Sequence, residues 1–294
     1  MTWQLSVAGL VLGLIVGMAG VGGGSLMTPI LILFFGFTPG KAVGTEIFHS
    51  AIFKTFGAWR HRRLGTVHGH LALWLFAGSG PLAVVGVTIS WYLKDQLDNA
   101  ETILKIAIGI SVILGGLGFL AKSFIKRGVQ VNTGPFTMSR RDKAIALAAG
   151  AVFGFIVGLT SVGSGTYFGL MMVLVYPLTM SKIVGTDIFH AAALLWVAGI
   201  GHGIIGDVDW HAVFFLMLGS VPGILISSRW TVKVPDMTIR FALGGILLIS
   251  GISLVDVDKH IPPSVLLSLL GALALGVAAY TAVAMRKPRK TPAP

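Results

Sequence analysis

The sequence predicts an all-α polytopic membrane protein. It reads as two inverted repeats of about five apolar segments each, with short glycine-broken second segments and an extra C-terminal helix. Three observations predict it. Of the 294 residues, 54% are hydrophobic and 11% charged, too little polar surface for a water-soluble domain of that length. Apolar runs that approach the roughly 20 residues needed to cross a bilayer recur along the whole chain. One pattern is also written twice: KAVGTEIFHSA (41–51) returns as KIVGTDIFHAA (182–192), 141 residues later.

The elements follow in order. The first half runs through an apolar segment at 5–20, a short one at 25–37, the segment carrying the pattern, and long ones at 69–93 and 102–121. The second half repeats this with 143–159, 166–178, the second pattern, 211–228 and 238–254, and 263–285 is the additional helix. MTWQLSVAGL has no basic stretch before its apolar run, so it reads as a retained helix and not a cleaved signal. The short segments have only about 13 apolar residues, or about 20 Å of helix, which does not span unaided. Each follows a glycine knot, GVGGGS (20–25) or SVGSGT (161–166). The 40 glycines suit closely packed membrane helices.

The repeat extends beyond the two patterns. Residues 13–81 lie over 154–222 without a gap, aligning GLIVGMAGVGGG with GFIVGLTSVGSG and GSGP with GSVP. The expected organisation is a first transmembrane repeat at 1–121, a basic cytoplasmic connector at 122–142, a second inverted repeat at 143–254, and a C-terminal helix with a basic tail at 255–294. Basic residues set the orientation. Arg60, Arg62 and Arg63 place the 60–65 loop inside, whereas its counterpart, 202–211, has no Lys or Arg and reads outside. Equivalent loops on opposite faces mean inverted halves. The connector region 122–143 carries six Lys or Arg residues and the tail RKPRK is basic. The N-terminus is therefore expected outside and the C-terminus in the cytoplasm, in a bacterial-type plasma (inner) membrane.

The net charge of +11 is this loop bias and not a nucleic-acid footprint. With no cysteine, disulfides, thiolate metal sites and cysteine nucleophiles are excluded. No P-loop is present, so the chain has no ATP motor of its own, and no cofactor is expected.

Two of the eleven acidic residues, Glu46 and Asp187, fall inside apolar segments, at the same place in each repeat. A charged acid at the centre of a membrane helix costs about 2.5–3.5 kcal/mol on insertion scales, so a symmetric pair points to function. His49 and His190 follow at i+3, on the same helical face, where acid and imidazole can share a proton. The competing reading is that each pair only pins its helix. One acid and one histidine per half are too few for a metal site unless the halves converge, so no metal is expected.

The glycine knots suggest an anion site. A helix starting at Ser25 or Thr166 aims free N–H groups and the positive end of its dipole back at the knot. The candidate substrate-binding residues are Gly22, Gly23, Gly24, Ser25, Gly163, Ser164, Gly165 and Thr166, with the hydroxyls of Thr45 and Thr186. Lys41 and Lys182 either attract anions or snorkel to the interface. His61, His68, His70, His202 and His211 read as solvated loop residues. AGSGP (77–81) is similar to the Gly-x-Ser-Gly of intramembrane serine proteases, but the second half has LGSVP, and sequence pairs no helix histidine with Ser79.

GMAGVGGGSLMTPIL, AVGTEIF and their second copies resemble the TauE/SafE sulfite-exporter family of membrane permeases. The resemblance covers nearly the whole chain. It departs at Pro29, whose counterpart is Leu170, so the second copy is the more diverged. The resemblance implies secondary transport of a sulfur-containing anion such as sulfite or an organosulfonate. Coupling to protons is then expected through Glu46–His49 and Asp187–His190, with one half rocking against the other. The rivals are a cation channel or exchanger using the two acids, and an integral-membrane enzyme using histidines and a metal.

Overall fold

The computed structural model describes residues 2–19, 24–124, 136–227 and 236–256, together with some positions between 260 and 276. The described residues form helices joined by turns, with no strand among them. In chain order the helices are α1 (Thr2–Ala19), α2 (Gly24–Phe35), α3 (Pro39–Arg63), α4 (Gly69–Gln96), α5 (Ala100–Phe124), α6 (Arg140–Thr160), α7 (Tyr167–Val175), α8 (Met180–Ile204), α9 (Trp210–Ser227) and α10 (Asp236–Val255). The polytopic all-helical class is as expected. The expected C-terminal helix lies largely outside the described residues; 264–265, 268–269, 271–273 and 275–276 are helical.

Local chemistry sets the ends. Pro39 follows Thr38 as the first residue of α3, where a missing N–H costs nothing. Thr179 caps α8 by accepting Lys182 N–H. Ser139 and Asp142 form a reciprocal capping box on α6, which stops at Ser161 in the left-handed region. The turns α3–α4 and α8–α9 each contain a left-handed glycine, Gly65 and Gly206, at φ 66° and 78°.

By length and composition alone α4, residues 100–121 of α5, α6 and α8 can each cross a membrane. At about 1.5 Å per residue, α7, with nine residues, covers less than half the hydrocarbon thickness. The exterior is apolar, with Phe34, Leu73, Val152 and Phe214 all exposed. Such a surface belongs against lipid.

The helices of the two halves interleave. α1 packs along α9, α4 along α6, α3 against α8 and α5 against α10. Because α6 is the repeat counterpart of α1 and α9 that of α4, the first two contacts are one contact made twice. Glycine permits both: a Cβ at Gly78 would lie 2.2 Å from Leu147 O, and one at its counterpart Gly219 would lie 1.8 Å from Ser6 O. Equivalent helices run antiparallel. Gly57 of α3 faces Ile188 early in α8, whereas Gly199, late in α8, faces Ile47 and Phe48. Likewise Gly109 of α5 faces Gly251 and Gly116 faces Gly244.

Candidate functional site

The crossing of α3 and α8 carries both repeated patterns into the core. Glu46 is completely buried and Asp187 is 7% exposed. Ser50, one turn on, donates to Glu46 Oε1 at 2.5 Å, and His49 Nδ1 lies 3.5 Å from Glu46 Oε2. In the first pattern the acid and the histidine thus approach one another, although neither Glu46 Oε2 nor His49 Nδ1 has a hydrogen-bond partner among the described residues.

Each histidine also reaches into the opposite half. His49 Nε2 lies 2.9 Å from Ser220 Oγ on α9, and His190 Nε2 lies 2.8 Å from Ser79 Oγ on α4. Sequence alone pairs no histidine with Ser79; the fold supplies one. The repeat supplies the same pair again at Ser220, and all four residues are buried. A duplicated, buried serine–histidine contact reads as a helix-to-helix connection and not as a nucleophile with its base.

Thr45 and Thr186 make a second exchanged pair. Thr45 Oγ1 accepts the Asp209 N–H at 3.0 Å, and Thr186 Oγ1 accepts the His68 N–H at 2.8 Å. Gly44 and Gly185 admit these loops: a Cβ would lie 2.6 Å from Asp207 O and 2.5 Å from Thr66 O respectively. The repeated VGT thus seats each loop of one half on the long third helix of the other. These contacts account for the buried threonines without a ligand.

The second glycine knot is irregular backbone, and all of residues 160–166 are buried. Gly163 and Gly165 have φ of 118° and 129°, which only glycine adopts without strain. Gly165 N–H and Tyr167 N–H both donate to Gly163 O, at 2.8 and 3.2 Å. Ser161 Oγ and Thr166 Oγ1 have no hydrogen-bond partner among the described residues. In the first knot, Gly22 and Gly23 lie outside the described residues, Gly24 opens α2, and Ser25 is buried.

The residue that sequence reasoning missed is Lys54. It is the one buried Lys or Arg among the described residues, at 4% exposure. Its ammonium donates to Ser164 O at 2.6 Å and to Ser164 Oγ at 3.0 Å, so a cation of the first half sits on the knot of the second. Glu46 and Asp187 are both within its electrostatic reach. The repeat counterpart of Lys54 is the buried Leu195, so the positive charge is not duplicated. That asymmetry is the signal: a basic residue at a position where the other copy is apolar.

A second polar group closes one end of α8. Lys94 forms an ion pair with Asp207, and His202 Nδ1 lies 3.4 Å from the same carboxylate. Burial pushes the Asp207 carboxyl up, but the hydrogen bonds and charges of His202 and Lys94 outweigh it and hold it below the ordinary value. His202 is fully buried, with Nε2 2.9 Å from Gly158 O, so the expectation of a solvated loop histidine is corrected here. His68 caps α4 by accepting Leu71 N–H, and its Nε2 lies 3.0 Å from Phe136 O. Among the described residues no cluster of three or more His, Cys, Asp or Glu is placed to hold a metal ion.

A family model described as sulfite exporter TauE/SafE matches residues 5–254 of the chain. The probable membrane transporter protein YjnA of Bacillus subtilis (strain 168) is 36% identical over 255 residues, covering 87% of this chain and 100% of its own. The probable membrane transporter protein YunE of the same organism is 26% identical over 269 residues, covering 85% and 96%. A probable membrane transporter protein of Methanocaldococcus jannaschii is 23% identical over 267 residues, covering 84% and 93%. No solved structure matches the chain.

Proposed function

The chain belongs to the sulfite exporter TauE/SafE family and is an integral membrane transporter, and on that premise we propose that it carries a small sulfur-containing anion, such as sulfite or an organosulfonate, coupled to protons. One observation carries this reading. The α3–α8 crossing buries two carboxylates, two histidines and a lysine beside a glycine knot. Such a group is expensive in the apolar interior of a membrane protein and is kept where ions or protons are handled. Irregular backbone at membrane depth is tolerated where protein or a water-lined cavity satisfies it, as in transporter binding sites. The carboxylates and histidines are the proton-handling groups, and the second knot is the anion side of the site. Lys54, buried with both acids within its electrostatic reach, weighs against the cation channel or exchanger, since it would repel the permeant ion.

The antiparallel course of equivalent helices supports inverted repeats, at 1–121 and 143–254, about an axis in the membrane plane. The interleaving of α1 with α9 and α4 with α6 changes the expected motion. The bodies that move in alternating access are mixed helix pairs, and neither is one half of the sequence.

The function is tested by flux into reconstituted vesicles with a panel of sulfite, methanesulfonate, sulfate and acetate. Uptake of the first two driven by an imposed pH gradient is expected. A cation current with no anion flux would favour the channel reading instead. Topology is tested separately in this naturally cysteine-free chain. Leu64→Cys and Ile204→Cys avoid the left-handed glycines of the loops and sit at positions 61% and 81% exposed. The first is expected to label from the cytoplasm and the second from outside; labelling of both from one face would sink the inverted arrangement.

A further inference from the structure

We propose that Lys54 is the counter-charge of the transported anion: a singly charged sulfonate or sulfite-type oxyanion replaces Ser164 at the Lys54 ammonium, and its negative charge is offset by a proton taken up from water onto Glu46 or Asp187. The inference deepens the function proposed above and rests on it.

Three observations lead here. First, Lys54 Nζ spends two of its three donors on Ser164, a neutral partner on irregular backbone, although two carboxylates are within electrostatic reach. An oxyanion offers a stronger, charge-assisted acceptor to the same donors than a serine does. Second, the knot beside it has spare donors: Ser161 and Thr166 are 1% and 6% exposed, and their hydroxyls have no hydrogen-bond partner among the described residues. Third, the charge balance is uneven. The titratable groups that interact electrostatically with Lys54 are Glu46 on α3 and Asp187 and His190 on α8, and His49 lies beside Glu46. α7 adds Tyr167, which donates to Ser111 O, and α2 carries no charged residue. Two acids around one lysine are neutral as a group with one shared proton. A monoanion arriving at Lys54 restores the deficit, and a second proton cancels it. Anion entry is then linked to protonation because an unbalanced charge in a low-dielectric interior is costly.

The test uses the full chain, purified in detergent, and methanesulfonate, whose charge does not change across the working pH range. Calorimetry reads its binding, and a dye in weak buffer reads proton uptake. The native protein is expected to bind with uptake of protons. Glu46→Gln keeps the lysine, leaves Asp187 to take the proton, and sets the reference affinity. Adding Lys54→Leu to Glu46→Gln removes the cation and one acid together, so the variant can fold, as a melting curve will show. It is expected to bind at least about 30-fold more weakly, the lower end of the cost of truncating one member of a buried charge pair. Lys54→Arg, which keeps the charge, is expected to rescue binding. If the folded double variant binds like Glu46→Gln alone, Lys54 only balances the acids and the inference is overturned. Binding without proton uptake overturns the coupling. If the native protein binds acetate in a Lys54-dependent way but neither methanesulfonate nor sulfite, the sulfur-anion function falls while Lys54 keeps its role. Binding of none of the three removes both.

Discussion

Glu46→Gln and Asp187→Asn are each expected to abolish uptake driven by a pH gradient while leaving a folded, inserted protein. The drop in initial rate should be about 100-fold or more, the lower range for loss of a positioned proton donor or acceptor. Both substitutions keep shape and remove the proton equilibrium. The amide that Glu46→Gln introduces can still accept from Ser50, which in the native chain bonds Glu46 Oε1 at 2.5 Å. One carboxylate survives in each single variant as partner for Lys54, so neither leaves that cation buried alone. The double variant does, and it is expected to lose stability beyond the sum of the singles, by about 3–5 kcal/mol. Initial rates at several gradients, with melting curves of each variant, check these outcomes. Unchanged pH dependence in both single variants would return the acids to the role of helix pins.

The second large effect concerns how the halves hold together. Gly78→Ala and Gly219→Ala are each expected to destabilise the protein by about 3 kcal/mol or more, at the top of the range for overpacking. A Cβ at either site meets backbone and not a flexible side-chain tip: 2.2 Å from Leu147 O and 1.8 Å from Ser6 O. Relief requires two helices to separate along their length. A fall in Tm on the order of 10 °C in detergent is expected for each. Gly115→Ala is the control. It lies in α5 with nothing nearer than 3.7 Å to its Cβ, so it should be neutral or slightly stabilising through helix propensity. Equal tolerance of all three would show that the α4–α6 and α1–α9 contacts are looser than described.

Much of the site was legible in the sequence because the repeat acts as an internal control. An acid in an apolar segment is unusual once; Glu46 and Asp187 at matched positions separate that signal from chance. Likewise the knot's left-handed positions were visible as glycines, since no other residue adopts such φ values without strain. Lys54 was not legible. It lies shortly before Arg60, Arg62 and Arg63, and a lysine near such a cluster reads as an interfacial side chain. The roles of Thr45 and Thr186 were also hidden, because a hydroxyl near a candidate site reads the same whether it faces a ligand or an amide of another loop.

The sequence by itself determined the membrane class, the two-fold repeat and the positions of the acids and knots. These follow from composition and from matching along one chain, which hydrophobic burial and glycine conformation imprint locally. Only the tertiary structure decided partners. It tied His49 to Ser220 and His190 to Ser79, set Lys54 on Ser164, and wove the halves together through α1–α9 and α4–α6. Each of these depends on which helix faces are brought within a few ångströms across more than 100 residues of chain. Helix periodicity reports that a face is buried; packing geometry alone decides against what.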